Sequence, residues 1–131
     1  MPVNSKQKGA RYERELAAYF RDNGYDTRRT AQYCGNTGEA ADVVGLPYIH
    51  VEAKHQETLR LADWVAQAVR DSSGSSRIPA VFHRKNGEKT LVTMRLDDWM
   101  KLYKAYEGYI AAGKVICDTL CRTEEKDRGA E

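Results

Sequence analysis

ADVVGLPYIHVEAK, residues 41–54, decides how this chain folds. Two β-prone runs, ADVVG and YIHVEAK, flank Gly45-Leu46-Pro47, a turn-forming group that predicts an antiparallel hairpin. Alternation along the second run sets Ile49, Val51 and Ala53 on one face and Tyr48, His50, Glu52 and Lys54 on the other. The first face is the one to bury. A solvated edge accounts for the second when the strand is taken alone. Closing the hairpin brings Asp42, at the start of the first arm, towards Glu52 and Lys54 near the end of the second.

Upstream, residues 5–23 have Tyr12, Leu16 and Phe20 at four-residue steps with Ala17 beside them, and Gly24 follows as a stop: a helix. Glu13 belongs to that apolar stripe, because Leu16, Ala17 and Phe20 stand three, four and seven residues after it. Glu15 lies on the polar side. A carboxylate on a core-facing stripe is costly unless it is paired or bound to a cation. A salt bridge to an arginine or a place at the chain end would also account for it. YDTRRTA then reads as a short strand, and QYCGNTGEA as a loop without periodicity.

Downstream, LRLADWVAQAVRDSS predicts a helix burying Leu61, Ala62, Val65, Ala68 and Val69. IPAVFHR and TLVTMRL flank KNGE, whose Asn86-Gly87 is a hairpin-turn signal. A third helix starts at Asp97-Asp98, with Trp99, Met100, Tyr103 and Tyr106 as its apolar positions. From Tyr109 the spacing of Ile110, Ile116 and Leu120 is again helical, before the polar RTEEKDRGAE. Helix, three strands, helix, two strands and helix predict an α/β (α+β) fold with a mixed sheet. The expected division is a main domain at 1–108 and a C-terminal helical extension with a frayed tail at 109–131.

Charged residues are 31% of the 131-residue chain and its formal charge is +2, so net charge alone does not announce nucleic acid. Its distribution says more. Lys6, Lys8, Arg11, Arg14, Arg28 and Arg29 cluster early, and His83, Arg84 and Lys85 lie beside the second hairpin, patterns that suit phosphates or a solvated surface. Cys34, Cys117 and Cys121 form neither a disulfide framework nor a zinc pattern. With no membrane-spanning run and no signal-peptide layout, the expected location is the cytoplasm. Glu13, Asp42 and Glu52, without histidine or cysteine among them, suit a hard ion such as magnesium rather than zinc.

KGARYERELAAYFRDNGY, then ADVVG, then VEAK resembles the PD-(D/E)XK nuclease superfamily, in particular the archaeal-type Holliday junction resolvases and their phage-encoded relatives. The likeness runs from Lys8 to Lys54 and more loosely to Trp99. It implies a restriction-endonuclease-like core, a five-stranded mixed sheet flanked by helices. It also implies that Asp42, Glu52 and the backbone carbonyl of Ala53 bind Mg²⁺ (with Mn²⁺ able to substitute), that Glu13 supports the metal or its waters, and that Lys54 orients the attacking water. Lys6, Lys8, Arg11, Arg14, Arg28, Arg29, Thr37, Arg84 and Lys85 would then contact DNA. Gln67 resembles a glutamine found after E-x-K in some branches, and a surface helix position accounts for it equally.

The implied protein is a metal-dependent, structure-selective DNA endonuclease of recombination and repair. It would resolve four-way junctions as a homodimer by paired nicks that leave 5′-phosphates. The interface would lie on the helix around residues 99–106 or on the tail from Tyr109, although Tyr-rich stripes more often belong to a core. The alternatives are another PD-(D/E)XK repair, recombination or restriction-type nuclease acting on flaps, ends or duplex, and, from a different class, a non-catalytic DNA-binding scaffold.

Overall fold

A computed structural model describes the backbone of residues 5–30 and 41–128, and the side chains of these as far as residue 113. The elements run α1 (Ser5–Asp22), β1 (Arg28–Arg29), β2 (Val43–Val44), β3 (Ile49–His55), α2 (Leu61–Asp71), β4 (Ile78–Arg84), β5 (Leu91–Thr93) and α3 (Leu96–Arg128). The strands form one five-stranded sheet in the order β1-β2-β3-β4-β5. β3 and β4 are parallel over seven pairs, from Ile49↔Ile78 to His55↔Arg84, and the other neighbours are antiparallel. A parallel pair needs a crossover, and α2 supplies it.

That crossover decides burial. On one face, Tyr12, Leu16, Ala17 and Phe20 of α1 pack with Val43 and Val51, joined by Leu46, Ile49, Ala53 and Phe82. On the other, Trp64 and Ala68 of α2 pack with Val81, joined by Leu61 and Val65. A helix on each side therefore encloses β3, as is usual for parallel strands. The solvated-edge account of its polar face fails: His50 is 4% exposed and Glu52 1%. α2 is also rotated from the face its aliphatic residues suggest. Ala62 is exposed, whereas Trp64 lies inside with its ring 5.8 Å from that of His83.

The hairpin between β2 and β3 depends on close backbone approach. Gly45 has φ +100°, and a Cβ there would lie 2.0 Å from the Asp26 carbonyl oxygen, so only glycine fits. Tyr48 closes the turn at φ 67°, and its carbonyl accepts the Ile78 N–H at 2.8 Å, tying the turn to the start of β4.

The chain separates into two compact units, one to Arg95 and one from Leu96. α3 is a continuous helix of 33 residues, so position 108/109 falls within it rather than at a break. Among the described residues no helix is long and apolar enough to cross a membrane. Thr37 and Cys34 lie outside the described residues, as do the side chains of Cys117 and Cys121.

Candidate active site

Asp42 is held on all sides by backbone. Its N–H donates to the Val51 carbonyl at 2.9 Å, and its own carbonyl accepts from the Thr30 N–H at 3.0 Å. Its Oδ2 accepts from the Ala53 N–H at 2.8 Å. The β2–β3 pairing thus sets this carboxylate against the middle of β3, beside Glu52. On α1, Glu13 is buried in the apolar stripe as its spacing predicts, and it accepts a hydrogen bond from Arg29 Nε.

The three acids influence one another. The Glu13 carboxyl is raised above its usual range, first by burial and then by Asp42, against the pull of Arg29 and Arg14. The Glu52 carboxyl is pushed up to about 7, chiefly by burial; the His50 hydrogen bond lowers it, and Asp42 and Asp71 raise it further. Both shifts have the same physical cause. Desolvation penalises the charged form, and a neighbouring negative charge adds to that penalty.

Lys54, two residues beyond Glu52 on the same face of β3, donates from Nζ to Gln67 Oε1 at 2.9 Å. Gln67 therefore lies beside Lys54 rather than at a free surface position. Asp71, one turn further along α2, was not evident from the sequence. His50, Glu52 and Asp71 bring donor atoms within 4.8 Å of one another. Recognising Asp71 required knowing that α2 turns Trp64, Gln67 and Ala68 towards the sheet, since Asp71 continues that stripe.

The residues present fit a divalent cation. Asp42 and Glu52 offer oxygen donors, and Glu52 Oε2 is buried without a hydrogen-bond partner among the described residues. Such an acceptor is costly unless a cation or proton meets it.

The basic residues divide into two groups. Lys6, Arg11, Arg14 and Arg28 are exposed. Lys8 and Arg60 line an open, polar cleft of about 610 Å³ that also reaches Lys54 and Gln67; Arg60 was not singled out by sequence. By contrast, Arg29 is turned inward onto Glu13. Arg84 bonds Glu15 at 2.7 Å and lies 4.8 Å over the Tyr12 ring, and Lys85 is half-buried. His83 is no surface contact: it is 4% exposed, bonds Thr93 Oγ1 at 2.8 Å, and burial lowers its pKa.

An acid pair at the start of one strand and the middle of the next, followed by a lysine, now stands beside a helix glutamate. Residues 4–128 match the family model described as "Phage putative PDDEXK endonuclease". The chain belongs to this family. Nucleases of the PDDEXK type use divalent metals, consistent with the acids gathered here. Among solved structures, the chain is similar to Hjc from Archaeoglobus fulgidus, a Holliday junction resolvase from an archaeal hyperthermophile. The two share 25% identity with a TM-score of 0.52, covering 66% of this chain and 72% of that one. The five-stranded mixed sheet is the PD-(D/E)XK-like fold that the motif resemblance implied. No curated protein matches the chain.

Proposed function

We propose that this PDDEXK endonuclease is a Mg²⁺-dependent enzyme of branched DNA that resolves four-way junctions by paired nicks, leaving 5′-phosphate and 3′-hydroxyl ends. The observation that carries this reading is the position of Asp42, close enough to both Glu13 and Glu52 to raise each carboxyl, with Lys54 next along the same strand. Asp42 and Glu52, with the Ala53 carbonyl, hold the ion. Asp42 also accepts the Ala53 N–H, which fixes that peptide's orientation. Glu13 supports the metal or its waters, and Arg29 opposes the rise that burial and Asp42 impose on its carboxyl. Gln67 holds the Lys54 ammonium by a hydrogen bond, positioning it to orient the attacking water and stabilise charge on the phosphate. A bound Mg²⁺ supplies Lewis acidity, lowering the pKa of its water and offsetting phosphate charge.

DNA approaches through the polar cleft lined by Lys8 and Arg60, and the exposed Lys6, Arg11, Arg14 and Arg28, with half-buried Lys85, contribute further phosphate contacts. Such contacts position a substrate without reading its sequence, as suits selection by shape. The likeness to an archaeal junction resolvase supports four-way DNA as the substrate. Two symmetric cuts require two active sites, hence a homodimer. The phage family supports action in the cytoplasm of an infected cell.

The test is cleavage of labelled four-way junction, flap, single strand and duplex with Mg²⁺, Mn²⁺ or EDTA. Symmetric nicks near the junction centre that need metal are expected. Equal cleavage of plain duplex would remove junction selectivity, and tight binding without cutting in either metal would favour a scaffold.

A further inference from the structure

Asp71 closes α2 and brings a carboxylate oxygen within 4.8 Å of donor atoms on His50 and Glu52 of β3. His50 and Glu52 are buried and form the floor of this group, and exposed Asp71 forms its rim. All three residues lie in the unit that ends at Arg95, so the group is complete within one compact unit.

Three features of the group are unfavourable without a cation. Glu52 Oε2 is buried with no hydrogen-bond partner among the described residues. Asp71 sets a second carboxylate beside it, and two ionised acceptors repel. Asp71 also sits at the C-terminal end of an 11-residue helix, where the macrodipole is negative and disfavours an acid. The nearby basic groups do not answer this. Lys54 donates to Gln67, and Arg70 is one position from Asp71, a spacing that does not share a helix face.

The contact between His50 and Glu52 points the same way. Nε2 lies 3.3 Å from Oε1, longer than the roughly 2.7–2.9 Å of a charge-assisted hydrogen bond. It is close to the spacing of two ligands on one ion. At about 2.1 Å from each donor, adjacent ligands stand roughly 3.0 Å apart and opposite ones roughly 4.2 Å. A small rotation of exposed Asp71 closes the remainder. One imidazole nitrogen with two carboxylates also differs from the all-oxygen set of Asp42, Glu52 and the Ala53 carbonyl. Mg²⁺ prefers oxygen alone, whereas a nitrogen donor favours a first-row transition ion such as Mn²⁺ or Zn²⁺.

We infer that His50, Glu52 and Asp71 form a second cation site that takes a first-row transition ion in preference to Mg²⁺ and clips α2 to β3. It rests on the nuclease reading only through Glu52, which it shares with the proposed Mg²⁺ site. Binding here needs neither DNA nor cleavage.

Mn²⁺ binding to the full chain without DNA, followed by the electron paramagnetic resonance signal of the free ion, tests it. The wild type should bind two Mn²⁺ and keep one of them in excess Mg²⁺. Asp71→Asn preserves the shape of an exposed side chain, so its fold should survive. It should weaken the Mg²⁺-resistant ion at least about 100-fold, the upper end of what losing a partner of a metal ligand costs. His50→Gln should do the same. Asp42→Asn should lose the Mg²⁺-displaceable ion and keep the other. A wild type whose bound Mn²⁺ all yields to Mg²⁺, an Asp71→Asn variant that holds the resistant ion as tightly as the wild type, or an Asp42→Asn variant that loses both ions would overturn the inference. Failure of junction cleavage while two ions still bind would count against the nuclease reading alone.

Discussion

Replacing Glu52 with Gln should stabilise the metal-free protein while abolishing cleavage. Glu52 is 1% exposed, and its carboxyl is pushed from 4.5 to about 7, mainly by burial and then by Asp42 and Asp71 against the His50 bond. A carboxyl with a raised folded pKa binds more protons folded than unfolded across that interval. Its contribution is therefore full below about 4.5 and is lost as pH rises to about 7. At about 1.4 kcal/mol per pKa unit, ionised Glu52 costs about 3 kcal/mol at pH 8 and about 1 kcal/mol at pH 5. Glutamine has the same shape, carries no charge, and can donate its amide protons to the neighbouring carboxylates. Urea unfolding of both proteins in EDTA at the two pH values measures the gap. Glu52→Gln should be more stable by about 3 kcal/mol at pH 8, roughly 10 °C in Tm, shrinking to about 1 kcal/mol at pH 5. The shifted Glu13, His55 and His83 remain in both proteins and cancel in the difference. Adding Mg²⁺ should narrow the gap by stabilising the wild type alone. A gap independent of pH, or a wild type more stable than the variant in EDTA at pH 8, would refute the reasoning.

Asp42→Asn can still accept the Ala53 N–H, so it should keep its fold by circular dichroism while losing at least about 100-fold in cleavage rate, as should Lys54→Ala. Gln67→Ala should slow cleavage about tenfold, less than loss of Lys54, since it acts by holding that side chain; single-turnover rates separate the two. Arg29→Ala leaves Glu13 buried without its partner and should cost about 2 kcal/mol in urea unfolding at neutral pH. Gly45→Ala sets a methyl against the Asp26 carbonyl at a positive φ and should lower stability by at least about 3 kcal/mol, with a matching fall in soluble yield.

Much of the candidate site was legible because its residues break local rules. Glu13 sits on an apolar helix stripe, and Glu52 and Lys54 interrupt a hydrophobic strand; local periodicity exposes such conflicts without coordinates. The hairpin at residues 45–47 then brought Asp42 within reach, because antiparallel pairing converts sequence position into neighbourhood. Asp71, Arg60 and the inward turns of Arg29 and Arg84 were not legible. Each depends on how a helix is rotated, or on which acid a long side chain meets. α2 shows why: its aliphatic residues suggest one face, yet a single Trp64 against His83 selects another and brings Gln67 and Asp71 to the site.

The sequence by itself determined the order of helices and strands and marked the acids and lysine of the candidate site, because these follow from periodicities of two and 3.6 residues and from the cost of misplaced charge. Only the tertiary structure decided that the polar face of β3 is buried. A parallel β4 requires a crossover helix, that helix must pack on the sheet, and packing it there removes water from Glu52. The charge on that carboxyl, and with it the site's affinity for a cation, is a property of that enclosure.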